Sequence, residues 1–138
     1  EQAKRHGWNL AVMFMDLDKF KEINDAHGHE MGDKVLLTIA KRLKRNTRSD
    51  DTICRFGGDE FLYLLMEVKS EDEVINIIKK LIKKIALPIY DAGLKLVIKA
   101  SIGVAMYPKN ANNTKALIKS ADEAMYAAKR SKLRYAFA

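Results

Sequence analysis

The chain has 138 residues, of which 48% are hydrophobic and 31% are charged, and this balance predicts one globular domain with a single hydrophobic core. The net charge of +7 favours anionic partners such as nucleotides or nucleic acids. The sequence shows no apolar run long enough to cross a bilayer and no secretory segment. Because the single cysteine, Cys54, allows no disulfide within this sequence, we expect a cytoplasmic domain, with Cys54 buried as a small apolar residue.

The first part of the chain predicts a strand followed by two helices. Residues 10–15 form a continuous apolar run that ends at Asp16, as is typical of a central strand buried on both faces. A short helix is predicted from Asp18 to Ala26, and it stops before Gly28. The longer helix that follows carries an apolar face formed by Val35, Leu36, Ile39, Ala40 and Leu43.

The second part predicts a hairpin, a helix, a strand and a final helix. Residues 51–56 and 61–66 read as the two strands of a hairpin. Ser70 and Glu73 form a capping box that opens a helix, which continues until Pro88. A strand is predicted over residues 94–107, bent or divided near Gly103, and a helix over residues 114–132. The order β-α-α-β-β-α-β-α predicts an α+β fold in which helices flank a mostly antiparallel sheet.

Four carboxylates are expected to meet at one edge of this sheet. Asp16 and Asp18 leave the central strand on the same side of an extended chain, and the hairpin tip carries Asp59 and Glu60 after Gly57. Clustered acids repel one another unless a cation lies among them, and oxygen ligands favour a hard ion such as Mg²⁺ or Mn²⁺. The alternatives are a solvated hairpin tip and, for Asp16 and Asp18, a helix cap with a first-turn acid.

The basic residues do not by themselves predict a nucleic-acid interface. Most lysines occupy polar helix faces, where solvation explains them, as with Lys79, Lys80, Lys83 and Lys84. No basic stripe is interleaved with aromatic residues. We therefore expect a nucleotide as the anionic partner and no nucleic acid.

Five motifs in order resemble the GGDEF family of diguanylate cyclases. They are DLDKFKEIND from Asp16 to Asp25, Gly28-His29 with Gly32-Asp33, GGDEF from Gly57 to Phe61, ASIGVA from Ala100 to Ala105, and ADEAMYAAK from Ala121 to Lys129. Together they extend over nearly the whole chain. The resemblance implies a five-stranded palm similar to that of nucleotide cyclases, and a reaction that joins two GTP molecules into cyclic di-GMP with release of pyrophosphate.

The resemblance also implies a role for each matching residue. Asp16 and Asp59 would be metal carboxylates, with the backbone carbonyl of Leu17 as a further ligand, and Glu60 would assist deprotonation or hold the second ion. The other implied substrate contacts are Asn24 and Asp33 at guanine, Lys21 and Lys129 at the phosphates, and Gly57 and Gly58 as room for the triphosphate. Lys129 is also compatible with a solvated last-turn lysine.

A second nucleotide site is implied by residues that precede the hairpin. Arg48 and Asp51 fit the family's R-x-x-D motif, separated from Gly57 by five residues. An arginine fork suits a phosphate or a guanine edge, and a carboxylate suits the donors of guanine. This site would bind the product, cyclic di-GMP, and inhibit turnover allosterically.

The chain departs from the family pattern at both ends. The family's D-x-L-T segment, which precedes the first strand, is not present in residues 1–138, so we expect a single domain excised from a larger protein. That protein is expected to carry a sensory or EAL phosphodiesterase domain and is compatible with a membrane anchor. After Lys129 the family has G-R-N or G-K-N, whereas Lys132, Leu133 and Arg134 stand here. The second phosphate cation is therefore not assigned.

Two function hypotheses follow from the resemblance. The first is a diguanylate cyclase domain that needs Mg²⁺ or Mn²⁺ and a homodimer, because each domain carries one GTP half-site. The second is a catalytically weak module that binds GTP or cyclic di-GMP and regulates a neighbouring domain, such as an EAL phosphodiesterase domain. Formation of cyclic di-GMP from GTP discriminates between them.

Overall fold

The computed structural model describes residues 9–138, so the first eight residues of the predicted domain lie outside the described residues. Five strands form one sheet in the order β2-β3-β1-β6-β7. Their bounds are β1 Leu10–Leu17, β2 Thr52–Arg55, β3 Glu60–Leu65, β6 Ala100–Tyr107 and β7 Tyr135–Phe137, and a separate ribbon pairs β4 Ile89–Asp91 with β5 Leu94–Leu96. The predicted α+β fold with a mostly antiparallel sheet is confirmed, and the β6–β7 pair alone is parallel in the five-stranded sheet of residues 9–138.

Four helices flank the sheet. They are α1 Phe20–His27, α2 His29–Arg45, α3 Glu71–Ile85 and α4 Thr114–Arg130. Because successive residues of a strand point to opposite faces, Met13 and Met15 of β1 pack in the core that includes α2 and α3, whereas Val12 and Phe14 pack against α4. The central strand is thus buried on both faces, as the apolar run predicted. Among the described residues, no helix is long and apolar enough to cross a membrane.

The predicted strand over residues 94–107 is divided, but not near Gly103. The break covers residues 97–99, and β6 passes through Gly103 without interruption. A Cβ atom at Gly103 would lie 2.0 Å from the carbonyl oxygen of Ala121 and 2.2 Å from the amide nitrogen of Met125. The glycine is required because α4 packs directly on the backbone of β6 at this position. The prediction of a bend or break near Gly103 was therefore wrong.

The C-terminal strand β7 and the first ribbon strand, β4, were not predicted. Strand β7 has three residues, and the ribbon strands have three residues each. Such short segments carry too little alternation to be distinguished from loops. In the ribbon, Ala92 and Gly93 both have positive φ, at 49° and 80°, and they form the tight connection between its strands.

The hairpin and the helix cap are confirmed, whereas the burial of Cys54 is not. Strands β2 and β3 pair with Arg55 opposite Phe61. The Ser70 hydroxyl accepts a hydrogen bond from the Glu73 amide at 3.2 Å, as predicted for the start of α3. Cys54 is exposed because β2 is an edge strand that no helix covers on that side.

Candidate active site

Three adjacent strands bring polar residues together at one end of the sheet. Asp16 near the end of β1 lies opposite Glu60 at the start of β3 and opposite Ser101 in β6. The Leu17 amide donates a hydrogen bond of 3.1 Å to the carbonyl oxygen of Asp59. The register therefore places the hairpin acids beside the exit of the central strand, as the sequence predicted.

The glycine turn is held by an arginine that sequence reasoning did not single out. Nε of Arg55 donates hydrogen bonds to the carbonyl oxygens of Gly57 at 3.1 Å and Gly58 at 3.0 Å. Neither glycine has positive φ. At Gly57 a Cβ atom would lie 2.6 Å from Oε1 of Glu60, whereas at Gly58 nothing lies within 4 Å. Gly57 thus leaves room for the Glu60 carboxylate, and the side of Gly58 is open.

Asp16 forms an ion pair with the lysine at the end of α4. Nζ of Lys129 donates to Oδ2 of Asp16 at 2.6 Å, and the Asp16 side chain is 13% exposed. Burial raises the pKa of Asp16, and the neighbouring carboxyl group of Asp59 raises it further despite the ion pair. Burial lowers the pKa of Lys129, but its bond to Asp16 outweighs this effect and the net pKa is raised. Oδ1 of Asp16 is buried without a hydrogen-bond partner.

Two more carboxyl groups face this pair. The pKa of Glu60 is raised by burial and by the charges of Asp16 and Asp122. The pKa of Asp122 in α4 is raised by burial and by the charges of Asp16 and Glu123, and its Oδ1 is buried without a partner. Sequence reasoning gave Asp122 no role, although its place seven residues before Lys129 on one helix could have suggested a shared face.

Asp18 is not a helix cap. The residue that precedes α1 is Lys19, with a φ of 58° and no side-chain cap bond. Instead, Asp18 accepts a hydrogen bond from the Ser101 hydroxyl at 2.8 Å and from Nη1 of Arg134 at 2.9 Å. Arg134 therefore points into the site. Leu133, which stands where the family has its second arginine or lysine, is exposed.

A cleft of about 700 Å³ opens beside these ion pairs. Residues of α1, of the segment from β5 to β6 and of the C-terminal part of the chain line it. Its five cationic side chains outnumber the acids Asp18 and Glu22; they belong to Lys19, Lys99, Lys129, Lys132 and Arg134. This excess of positive charge next to clustered carboxylates suits a ligand that carries several phosphates.

The predicted base-reading residues do not line this cleft. Asn24 of α1 faces α2, because a Cβ atom at Gly32 would lie 1.8 Å from its Oδ1. Asp33 follows Gly32 in α2 and is exposed. Lys21 is also exposed, and neither it nor the two turn glycines lines the cleft. The structure thus brings Asp16, Asp59, Glu60 and Lys129 together, and it directs Asn24 from α1 towards α2 while Asp33 is exposed on α2.

The acidic residues fit a divalent ion. Within residues 9–138, no three acidic, histidine or cysteine side chains are grouped as a complete metal site. Mg²⁺ usually takes only one or two carboxylates and completes its coordination with water and substrate phosphates. The buried, unpartnered Oδ1 of Asp16 beside the carboxyl group of Asp59 supplies a donor set of this kind.

The predicted product site is intact but engaged within the domain. Arg48 forms an ion pair with Asp51 through Nε and Nη2, and another with Glu73 at 3.1 Å. The Asp51 bond raises the pKa of Arg48. The Asp51 side chain is only 1% exposed and also accepts a hydrogen bond from the Met66 amide. Its carboxylate therefore holds the site together, whereas part of Arg48 faces solvent.

Comparison with known proteins supports one family. The family model described as the GGDEF domain of diguanylate cyclases matches residues 1–134. The GGDEF domain of the Pseudomonas aeruginosa diguanylate cyclase TpbB has a crystal structure with a TM-score of 0.91 and 42% identity, covering 94% of this chain and 81% of that domain chain.

Two curated relatives from the same organism are longer proteins. The bifunctional diguanylate cyclase/cyclic di-GMP phosphodiesterase MucR is 44% identical over 129 residues, which are 94% of this chain and 19% of MucR. The cyclic di-GMP phosphodiesterase NbdA is 38% identical over 129 residues, which are 94% of this chain and 16% of NbdA. The chain thus spans less than a fifth of the length of either protein.

Proposed function

The chain belongs to the GGDEF domain family of diguanylate cyclases, and we propose that it condenses two GTP molecules into cyclic di-GMP and pyrophosphate. The observation that carries the proposal is the buried, unpartnered Oδ1 of Asp16 beside Asp59, next to a cleft that Lys129 and Arg134 line. This arrangement offers anionic oxygens to a metal and cationic groups to phosphates. A nucleoside triphosphate with its divalent ion satisfies both.

The acidic end of the site holds the metal and accepts a proton. Mg²⁺ or Mn²⁺, bound by Asp16, Asp59 and the carbonyl of Leu17, would neutralise phosphate charge and lower the pKa of the ribose 3′-hydroxyl. The 3′-oxygen bonds to the α-phosphorus of the second GTP, and the bond from that phosphorus to the pyrophosphate oxygen breaks. Glu60 accepts the hydroxyl proton, a role that its raised pKa favours.

The cationic end of the site binds the triphosphate. Lys129 and Arg134 are both ion-paired to strand-end acids, at 2.6 and 2.9 Å, so each head group is held at the border of the cleft. Arg134 presents a planar fork to phosphate oxygens, and Lys129 presents a point charge. Arg134 thereby supplies the second phosphate cation, which the sequence left unassigned. Lys21, which is exposed on α1, would be a further phosphate contact, as the family resemblance implies.

The base and the second substrate complete the proposal. Asn24 and Asp33 would read guanine between α1 and α2, since a carboxylate accepts from N1–H and the exocyclic amine. One domain carries one GTP, so turnover needs two domains that face each other with their 3′-hydroxyls directed at each other's α-phosphates. The active form would therefore be a homodimer, and Arg48 with Asp51 would bind the product and inhibit turnover.

A regulatory module is the second candidate function. The relative NbdA is named as a phosphodiesterase, and MucR is named as bifunctional. A domain of this family in such a protein could bind GTP or cyclic di-GMP and act on a neighbouring EAL domain. The exposed Leu133 at the family's second cation position favours weak turnover.

Incubation with GTP and Mg²⁺ at high protein concentration tests the proposal. Separation of the nucleotides should show cyclic di-GMP and pyrophosphate, with a rate per domain that rises with protein concentration. Asp59→Ala should abolish both products, whereas Asp25→Asn, which removes a charge from an exposed position of α1, should retain them. GTP binding without product in an enforced dimer would instead support the regulatory function.

A further inference from the structure

Arg48 uses most of its donors inside the domain. Its Nη2 donates to Oδ1 of Asp51 at 3.2 Å and to the carbonyl oxygen of Met66 at 3.0 Å, and its Nε donates to Oδ2 of Asp51. Its Nη1 donates to Oε1 of Glu73 at 3.1 Å. Four of its five N–H groups are thus engaged, so a phosphate oxygen that approaches Nη1 meets the Glu73 carboxylate already bonded there.

The two carboxylates around Arg48 differ in how readily they can leave. Asp51 is 1% exposed, so breaking its pair with Arg48 would leave a buried carboxylate without a counter-charge, held only by the neutral Met66 amide. Glu73 is 26% exposed, and its other oxygen accepts the Lys69 amide at 3.2 Å. Glu73 can turn towards water and keep that second bond. Of the two carboxylates, Glu73 is the replaceable one.

The Arg48–Glu73 pair stands between two surface clefts. One cleft of about 480 Å³ lies along α3 and includes Asn76 and Lys80. The other, of about 330 Å³, lies beside Met66 and Lys69. Both are lined by Arg48 and Glu73. Rotation of the Glu73 side chain away from Arg48 would connect the two clefts into one groove.

We propose that Glu73 competes with cyclic di-GMP for Arg48 and thereby sets the affinity of the product site. The proposal rests on the proposed function, in which Arg48 binds a phosphate of the product. Binding replaces the Glu73 carboxylate by a phosphate oxygen on Nη1, so one charge-assisted hydrogen bond is exchanged for another. The displaced carboxylate also repels the phosphate, because like charges at short distance disfavour each other. Product inhibition therefore begins at a higher cyclic di-GMP concentration than Arg48 and Asp51 alone would give.

The matched test compares two substitutions in the first turn of α3. Glu73→Gln removes the charge at Arg48 and retains an oxygen for the Lys69 amide. Glu71→Gln removes one charge from the same turn, but Glu71 pairs with Lys109 and not with Arg48. Titration calorimetry with cyclic di-GMP, without GTP, measures binding to each protein. Glu73→Gln should bind about two- to tenfold more tightly than Glu71→Gln, the range expected for a partly exposed ion pair plus the relieved repulsion.

Each outcome of the titration decides a different point. Equal affinity of the two variants, or weaker binding by Glu73→Gln, would overturn the role of Glu73. If Arg48→Ala binds cyclic di-GMP with unchanged affinity, or if no variant binds it, the product site and this proposal are both wrong. The incubation with GTP and Mg²⁺ tests cyclase activity independently of this result. Binding by Glu73→Gln alone would support the competition strongly.

A second variant separates competition from helix capping. Glu73→Asp keeps the negative charge in the first turn of α3, but its side chain is one methylene group shorter, which withdraws the carboxylate from Nη1 of Arg48, 3.1 Å from Glu73 in the unmodified chain. It should also bind cyclic di-GMP more tightly than the unmodified chain. If both Glu73 variants unfold at the temperature of the unmodified chain and neither binds more tightly, Glu73 does not compete.

Discussion

Replacement of Lys129 by methionine should destabilise the domain in a way that depends on pH. Lys129 is the partner of Asp16 at 2.6 Å, and the two side chains are 37% and 13% exposed. Methionine keeps the aliphatic contacts of the lysine and removes its charge. Asp16 then retains its buried carboxylate, with Oδ1 already unpartnered, and loses the partner of Oδ2.

The expected loss lies between the values for surface and buried ion pairs. Hydrogen bonds to charged groups are worth about 1.5–3 kcal/mol, and breaking fully buried pairs costs about 3–5 kcal/mol. Because Lys129 is partly solvated, about 1–2 kcal/mol is the appropriate range. For a domain of this length, such a loss lowers the melting temperature by roughly 3–8 °C.

Acid should reduce this loss. The ion pair contributes only while Asp16 is ionised, and burial raises the pKa of Asp16. Its contribution is therefore present at neutral pH and is lost as the pH falls through that raised pKa. Thermal unfolding of the metal-free protein at pH 7 and pH 4 measures the effect. Lys132→Met, which removes a charge from the same cleft at a residue without an assigned ion pair, is the control. A loss of equal size at both pH values would refute the reasoning, as would a loss matched by the control.

Three further substitutions test the packing of the site. Gly32→Ala should raise the KM for GTP several-fold, because the new Cβ would lie 1.8 Å from Oδ1 of Asn24 and displace that side chain; unchanged GTP kinetics would argue against Asn24 as a base reader. The Cβ would also lie 3.2 Å from Cζ of Phe20, which a small shift of that ring relieves, and alanine favours the helix, so stability should change by less than about 1 kcal/mol. Gly103→Ala should cost roughly 3 kcal/mol in chemical denaturation, since its Cβ meets backbone atoms of Ala121 at 2.0 Å; a loss below about 1 kcal/mol would contradict the close packing. Asp122→Asn should raise the melting temperature by roughly 2–4 °C at pH 7, because burial raises the pKa of Asp122 and the stability due to its protonated form is lost as the pH rises through that pKa. This gain should disappear as the pH falls through that raised pKa and the native carboxyl becomes protonated, and a gain that persists in acid would have another cause.

Local patterns were sufficient for the elements that carry strong periodicity. The apolar run before Asp16, the helix cap at Ser70 and the glycine-acid hairpin each specify a structure through neighbours in sequence, and all three are found where the sequence places them. The other half of the predicted capping box differs, because the Glu73 carboxylate accepts the Lys69 amide. The sequence also predicted the family and its reaction class, since five family motifs occur in order along the chain. The helical spacing of apolar residues in α4 correctly predicted which face of this helix is buried.

Contacts between distant residues were beyond these patterns. Nothing local indicates that Arg134 reaches Asp18, 116 residues away, or that Arg48 meets Glu73 after 25 residues. Strand β7 is too short for a periodic signal, and it forms because Tyr135 pairs with Ile102. The exposure of Cys54 likewise depends on the strand order, which places β2 at the edge of the sheet.

The sequence by itself determined the family to which this chain belongs and predicted its ligands, because side-chain types at fixed spacing restrict which groups can be bound. It predicted that Asp16, Asp18, Asp59 and Glu60 meet as one acidic group, and the family resemblance implied Lys129 as a phosphate cation. Tertiary structure decided which charges are paired, buried or free, since these properties depend on strand register and helix placement. It assigned Arg134 to the cleft, left Oδ1 of Asp16 without a partner, and placed Glu73 on the arginine of the second site.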